Sequence, residues 1–428
     1  MFIINSAGFH TLRTSHNSLM SKFDYIIAGA GCAGLSLAFY MSISKAENLK
    51  NKKILLIDKV QKTTNDRTWS FWKDNNLPFE FEEIIHKKWG NIYFFGEDFS
   101  DKINISPYNY NTIRSIDFYD FTKKIISQNS DIQVVYEEIQ EIGEMDLEGN
   151  SYAFVRTNTP TGTHTYKADF VFNSTNLFYE TEKKAGYHYF LQHFKGWFVE
   201  TKTDFFDEKT AHFMDFRVPQ MPKEARFCYI LPFSPTKALI EFTVFSENLL
   251  EQNNENNSNN EYDTQLKNYI ENIIQLSDYK IVEEEFGVIP MYDFAHKKQI
   301  GNRIINIGTT GGQVKASTGY AFLRIQARTK AIIKALSMTG KPFYKENNAK
   351  KYQLYDSALL HVMANQKDNN GLSMKKIFTI LFEKLPIQGL FRFLDEKTNI
   401  LEDIKLMSKV PSMPFIRAIL ENFWKQKL

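Results

Sequence analysis

The sequence predicts a mixed α/β fold: a parallel-sheet unit split by an antiparallel, strand-rich insertion and followed by helices. Three observations predict it. A strand, a glycine turn and a helix open the folded part of the chain, and a second such set returns near residue 303. Residues of about 180 to 290 read as strands. The remainder, 336–428, reads as helices.

Residues 1–22 hold no acid and no apolar core followed by a cleavage site, so a disordered extension is expected there rather than a secretory signal. "FDYIIAGAGCAGLSLAFYMSISK" reads as a strand over 23–28, a turn and a helix to about Ser44, and "KKILLIDK" as the next strand. This is the opening of a Rossmann-type dinucleotide-binding unit. Gly29 permits the tight turn, Gly31 lets the backbone approach a pyrophosphate, and Gly34 lets the helix pack on the strand. The phosphates then meet the helix N-terminus, where free N–H groups favour negative charge. Asp58 ends the second strand, placed to accept hydrogen bonds from an adenosine ribose.

"IQVVYEEI" and "YAFVRTNT" suggest an antiparallel hairpin, and "YKADFVFNST" a return to the parallel sheet. The predicted nucleotide-binding domain therefore spans 23–180 and, after an inserted substrate-facing sheet at 181–295, resumes over 296–335. "EQNNENNSNNEYD" is expected to be a surface loop within the insertion. "RIINIGTTGGQVKASTGYAFLRIQ" reads as a strand, a glycine turn and a helix beginning near Ser317 or Thr318, a second anion or cofactor site by the same physics. In "SMKKIFTILFEKL", Ile377, Phe378, Leu381 and Phe382 stand against Lys375, Lys376, Glu383 and Lys384. Such amphipathic helices cover a core or lie in a membrane interface.

Within the insertion, "KALIEFTVFS" alternates two apolar faces, one of them carrying Leu239, Glu241, Thr243 and Phe245. A carboxylate there is paired, with Lys237 or Arg226 as candidates, or faces water at an edge, or keeps its proton at a raised pKa. The last outcome describes a general acid.

Composition removes several function classes. A net charge of +2 without a basic block gives no basis for nucleic-acid binding. Two cysteines, Cys32 and Cys228, supply neither a disulfide framework nor a cysteine-built metal site, and fit a cytoplasmic location. No apolar run is long enough to cross a bilayer. Aromatic residues make up 15% of the chain, which suits a large apolar pocket as well as a Phe-rich core.

Taken together, "AGAGCAGLSLA", "NDRTWSFW" (65–72), "QHFKGW" (192–197), "LPFSPTKALIEFTVFS", "IGTTGGQVKASTGYAF" and "FRFLDE" (391–396) resemble, in the same order, segments of the lycopene β-cyclases of bacterial and plant type. The resemblance covers roughly 23–400. It implies a peripheral membrane flavoprotein, with an FAD-binding unit of the glutathione reductase and hydroxylase type. Its reaction is the conversion of the ψ-ends of lycopene to β-rings, through γ-carotene to β-carotene, with reduced FAD and NAD(P)H as reductant. Glu241 would match the first glutamate of the family's Phe-Leu-Glu-Glu-Thr motif and protonate the alkene, while Phe242 replaces the second.

The resemblance also marks Arg67, Arg114, Gly308, Gly311 and Gly312 as flavin contacts, and Trp69, Trp72, His193 and Phe242 as pocket residues. Arg67 and Arg114 suit surface ion pairs equally well, and His193 a structural hydrogen bond. Thr309 stands where related hydroxylases carry an aspartate. A flavin monooxygenase, a prenyl-chain reductase and a non-catalytic carotenoid-binding flavoprotein are the competing readings.

Overall fold

The computed structural model describes residues 21–426, except 148, 161, 180–182, 251–259, 347–348 and 366–371. The predicted extension thus lies outside the described residues, apart from Ser21 and Lys22, which begin the first strand.

One sheet of eight strands carries the nucleotide-binding unit. Along its main path run Gln299–Ile300, Ile304–Asn306, Gly162–Asn173, Ser21–Ala28, Ile54–Asp58 and Ile132–Tyr136. The inner pairings are parallel. Strands of that kind are covered on both faces, and Ile26, Ile27, Leu55 and Ile57 are accordingly fully buried. Helices Cys32–Ile43, Ser115–Ile126 and Phe322–Thr339 cover one face through Leu35, Phe39, Phe118 and Phe322. Ile142, Ala153 and Val155 of the hairpin Glu138–Leu147 and Asn150–Thr159 cover the other. The segment "IQVVYEEI" is therefore divided: Ile132–Tyr136 is a parallel strand, and the hairpin begins only at Glu138.

The second sheet has seven strands in the order Lys280–Tyr292, Tyr189–Glu200, Lys237–Ser246, Ala225–Ser234, Thr210–Asp215, Asn91–Phe95 and Ser100–Asn104. Its last two strands come from the stretch assigned from sequence to the first domain, so that boundary is not a single cut in the chain. One face packs Tyr229, Leu239 and Phe245 toward the C-terminal helices, with Phe382 stacked on Phe94 at 4.1 Å. The opposite face packs Ile240, Phe242 and Val244 against Tyr262 and Leu266 of helix Glu261–Asn268. That helix, capped by Asn260, takes up the end of the expected Asn-rich loop, whose residues 251–259 lie outside the described ones.

Between the two sheets, Thr68–Asp74, Tyr108–Arg114 and Lys87–Trp89 form a three-stranded sheet with side chains in both cores. Five helices come after Phe322–Thr339: Ala349–Ala364, Met374–Lys384, Ile387–Leu394, Ile400–Met407 and Ser412–Gln426.

Candidate functional site

A cavity of about 1020 Å³ runs from the first glycine turn to the seven-stranded sheet. At one end stand Gly29, Gly31, Asp58, Ser174, Gly308 and Thr309; at the other, Glu241 and Glu285.

The turn is built for close approach. Gly29 has φ +98°, which an L side chain rarely adopts. A Cβ on Gly34 would lie 1.8 Å from the Gly29 carbonyl oxygen, whereas one on Gly31 would meet nothing within 4 Å. The helix is thus pressed onto the turn while the space beyond Gly31 stays open for a phosphate at an uncapped helix N-terminus. Asp58 accepts a hydrogen bond from the Ala30 N–H at 2.7 Å, holding its carboxylate beside the turn. Gly308, at φ +65°, brings the second glycine turn to the same cavity. These residues fit a dinucleotide.

Gly311 and Gly312 do not reach the cavity. A Cβ on Gly311 would strike the Asn306 carbonyl oxygen at 2.3 Å, and one on Gly312 the His296 ring, so their role is to let the loop fold on itself. Arg67 stands on the cavity wall, more than half exposed and paired with Asp66. Arg114 does not line it; its guanidinium is held by both oxygens of Asp117, at 2.7 and 2.8 Å.

Glu241 projects from the middle of Lys237–Ser246 into the cavity. Lys237 pairs instead with Glu200, and Arg226 with Glu224 and Glu261. No ion pair of Glu241 occurs among the described residues; its partner is the Thr243 hydroxyl, which donates to it at 2.6 Å. Burial pushes the carboxyl well above the usual range, and the Thr243 hydrogen bond offsets only part of that.

A second carboxyl, which the sequence reading missed, faces the first. Gly196 on the intervening strand is the register partner of both Glu241 and Glu285. Tyr229 pairs with Glu241 on its other side, so Tyr229, Glu241, Gly196 and Glu285 form a row across four strands on one face. Gly196 lets Leu239 and Glu285 close over the intervening strand, since a Cβ there would lie 2.8 Å from Leu239 Cδ1 and 3.0 Å from Glu285 Cγ. Glu285 is buried, and its Oε2 accepts from the Thr68 hydroxyl at 3.0 Å. Its Oε1 is buried without a hydrogen-bond partner. Burial and then the charge of Glu241 raise its pKa, against smaller opposing effects of Thr68 and Arg67. Glu285 and Phe286 also line a smaller cavity of about 280 Å³ with Lys195, Asn260 and Glu284.

Around the acids the walls are aromatic: Trp69, Tyr110, Phe194, Tyr229 and Tyr320. The Tyr110 and Tyr320 hydroxyls lie 3.3 Å apart. Three expected pocket residues are elsewhere. Trp72 sits behind the wall, stacked on Phe391 at 4.7 Å with its indole N–H donated to Asp395. Phe242 points to the opposite face of its strand. His193 is fully buried on that face as well; Ser246 donates to the Asn248 carbonyl and so accepts from Nε2–H, while the Tyr262 hydroxyl donates to Nδ1 at 2.6 Å. Burial lowers the pKa of this neutral imidazole to about 4.

Among the described residues there is no group of three His, Cys, Asp or Glu able to hold a metal, and no helix long and apolar enough to cross a membrane. No curated protein matches the chain. Solved structures share its fold at low identity. The geranylgeranyl bacteriochlorophyll reductase-like protein of Thermoplasma acidophilum superposes with a TM-score of 0.56 at 11% identity, over 94% of this chain and 100% of that one. A flavoprotein/dehydrogenase from Cytophaga hutchinsonii gives 0.56 at 11%, over 94% and 99%. The flavin-dependent brominase Bmp2 gives 0.53 at 12%, over 95% and 100%. The architecture is thus that of the flavoproteins with a Rossmann-like unit, an inserted sheet and C-terminal helices. The family described as lycopene cyclase protein matches residues 24–420, nearly the whole chain, and the chain belongs to that family.

Proposed function

We propose that the protein is an FAD-dependent lycopene β-cyclase that closes the ψ-ends of lycopene to β-rings without net oxidation or reduction. The observation that carries this reading is Glu241: a buried carboxyl with no ion pair among the described residues, its pKa raised by burial, in an aromatic cavity continuous with a dinucleotide turn. An isolated trisubstituted alkene is a very weak base, so protonating it requires a neutral acid held against it in a dry pocket. Glu241 delivers its proton to the terminal double bond. The resulting tertiary cation is attacked by the next internal double bond, a six-membered ring closes, and loss of a ring proton gives the β-end. The faces of Trp69, Phe194 and Tyr229 stabilise the positive charge on the way.

Gly29, Gly31, Asp58 and Gly308, with Arg67 at the wall, would hold FAD. In its reduced form, maintained by NAD(P)H, that group supplies negative charge beside the cation. Lycopene does not leave lipid for water, so the protein works at a membrane surface. Ile400, Leu401 and Ile404 on one C-terminal helix and Met413, Ile416 and Leu420 on the next expose apolar side chains suited to that surface.

The test supplies lycopene in liposomes, FAD and NADPH under anaerobic conditions, and reads protein co-sedimentation together with product mass and spectrum. Sedimentation with the liposomes, unchanged mass and a blue-shifted, ring-ended chromophore are expected. Glu241→Gln should lower kcat by about 10²–10⁴. A gain of two hydrogens would make the protein a reductase, and a gain of oxygen once air is admitted would make it a monooxygenase.

A further inference from the structure

We propose that Glu285 is a second catalytic carboxyl, which with Glu241 forms a pair holding one shared proton, Glu241 as donor to the alkene and Glu285 as acceptor of the ring proton. The proposal rests on the cyclase reading above and deepens it. The strand register sets both acids on one face, on either side of a residue without a side chain. Glu285 is 8% exposed, lines the same cavity, and keeps one oxygen without a partner while Thr68 fixes the other. Both carboxyls are buried and the charge of Glu241 raises Glu285, so ionisation of one hinders that of the other and one proton serves the pair.

The chemistry needs a donor and an acceptor close together. Protonation breaks the Glu241 O–H bond and forms a C–H bond at the alkene carbon. After ring closure, the carbon that loses its proton lies two bonds from the one that gained it; that C–H bond breaks, its electron pair becomes the ring double bond, and the proton passes to Glu285. Transfer of the proton from Glu285 back to Glu241 restores the starting state, with no electron gained or lost. The other titratable groups around the pair are Tyr110, Tyr229 and Cys228 near Glu241, and Arg67 and Glu283 near Glu285. Burial raises all three of the groups near Glu241, so they stay neutral at neutral pH.

Two measurements test the pair. In the first, the infrared band of protonated carboxyls is titrated with pH in the purified protein, wild type against Glu285→Gln and Glu241→Gln. The pair predicts a protonated carboxyl at neutral pH in the wild type, and loss of the remaining carboxyl proton at lower pH in Glu241→Gln, because the charge that raises Glu285 is gone. An unchanged titration would overturn the proposal. In the second, pH profiles of kcat are compared for wild type, Glu285→Gln, Glu285→Asp and Thr68→Val. A fall in kcat of about 10² or more in Glu285→Gln with partial recovery in Glu285→Asp supports it. A Glu285→Gln protein with wild-type kcat and pH profile makes Glu285 structural and sinks the catalytic role. Should the wild type convert no lycopene, the cyclase reading fails, while the infrared titration still decides whether the proton is shared.

Discussion

Glu241 and His193 show how the same burial acts in opposite directions on two residues of neighbouring strands. For the two carboxyls the folded chain holds the proton more tightly than the unfolded chain. Their contribution is therefore fully present below the ordinary carboxylate range and is lost as pH rises through their raised values. For His193, whose folded pKa is depressed to about 4, stability is present above the ordinary histidine value and is lost as pH falls through the folded one. Thermal unfolding measured from about pH 5 to about pH 9 should show wild-type stability declining toward the alkaline side, and Glu285→Gln should flatten that decline. An alkaline decline equally steep in Glu285→Gln would show that the pair does not titrate in this range. Glu241 was legible in sequence because one strand's alternation exposes a lone acid among apolar neighbours. Glu285 was not. "VEEEF" reads as a solvated strand, and Glu283 and Glu284 do face outward; what buries the third acid is its pairing with Gly196, a contact between distant segments.

The strand Lys237–Ser246 places consecutive residues on opposite faces, and that period decides what Phe242 can do. Its ring lies in the core of Ile240, Val244 and Tyr262, away from the cavity. A glutamate at 242 would bury its charge in that core, so Phe242→Glu should destabilise the fold by about 3 kcal/mol or more, read by denaturant unfolding, without restoring activity to Glu241→Gln. Activity rescued by that substitution would contradict the register. The strand–turn–helix units were readable because local glycine geometry and apolar runs suffice to specify them. The start of the helix expected at Ser317 or Thr318 was misplaced to Phe322 by a tertiary demand. The N–H groups of Thr318 and Gly319 donate to the carbonyl of Lys315, a residue 5% exposed whose ammonium reaches Asp356 and Glu396 at 2.8 and 3.1 Å. Partners in the C-terminal helical region cannot be seen from a local propensity.

At the scale of the molecule, the cavity is enclosed by parts far apart in sequence: the glycine turns of the eight-stranded sheet, Tyr110 from the small sheet between, and the acids of the seven-stranded sheet. The class of fold was visible in the sequence, but not the passage of Asn91–Phe95 and Ser100–Asn104 into the other sheet, because no short-range signal says which edge a strand joins. The smaller cavity beside Lys195 and Asn260 shares Glu285 and Phe286 with the wall of the larger one. A cycle that regains each proton it gives consumes none, so the smaller cavity is no supply line. If Glu241 and Glu285 share a proton as proposed, Glu285, on the wall of both cavities, is where that proton would exchange with the medium between turnovers. Rings made in heavy water should then carry a full deuterium label on the methylene beside the carbon bearing two methyl groups, as read by mass spectrometry. A pair sealed from solvent would instead pass hydrogen from each ring to the next and leave the product underlabelled.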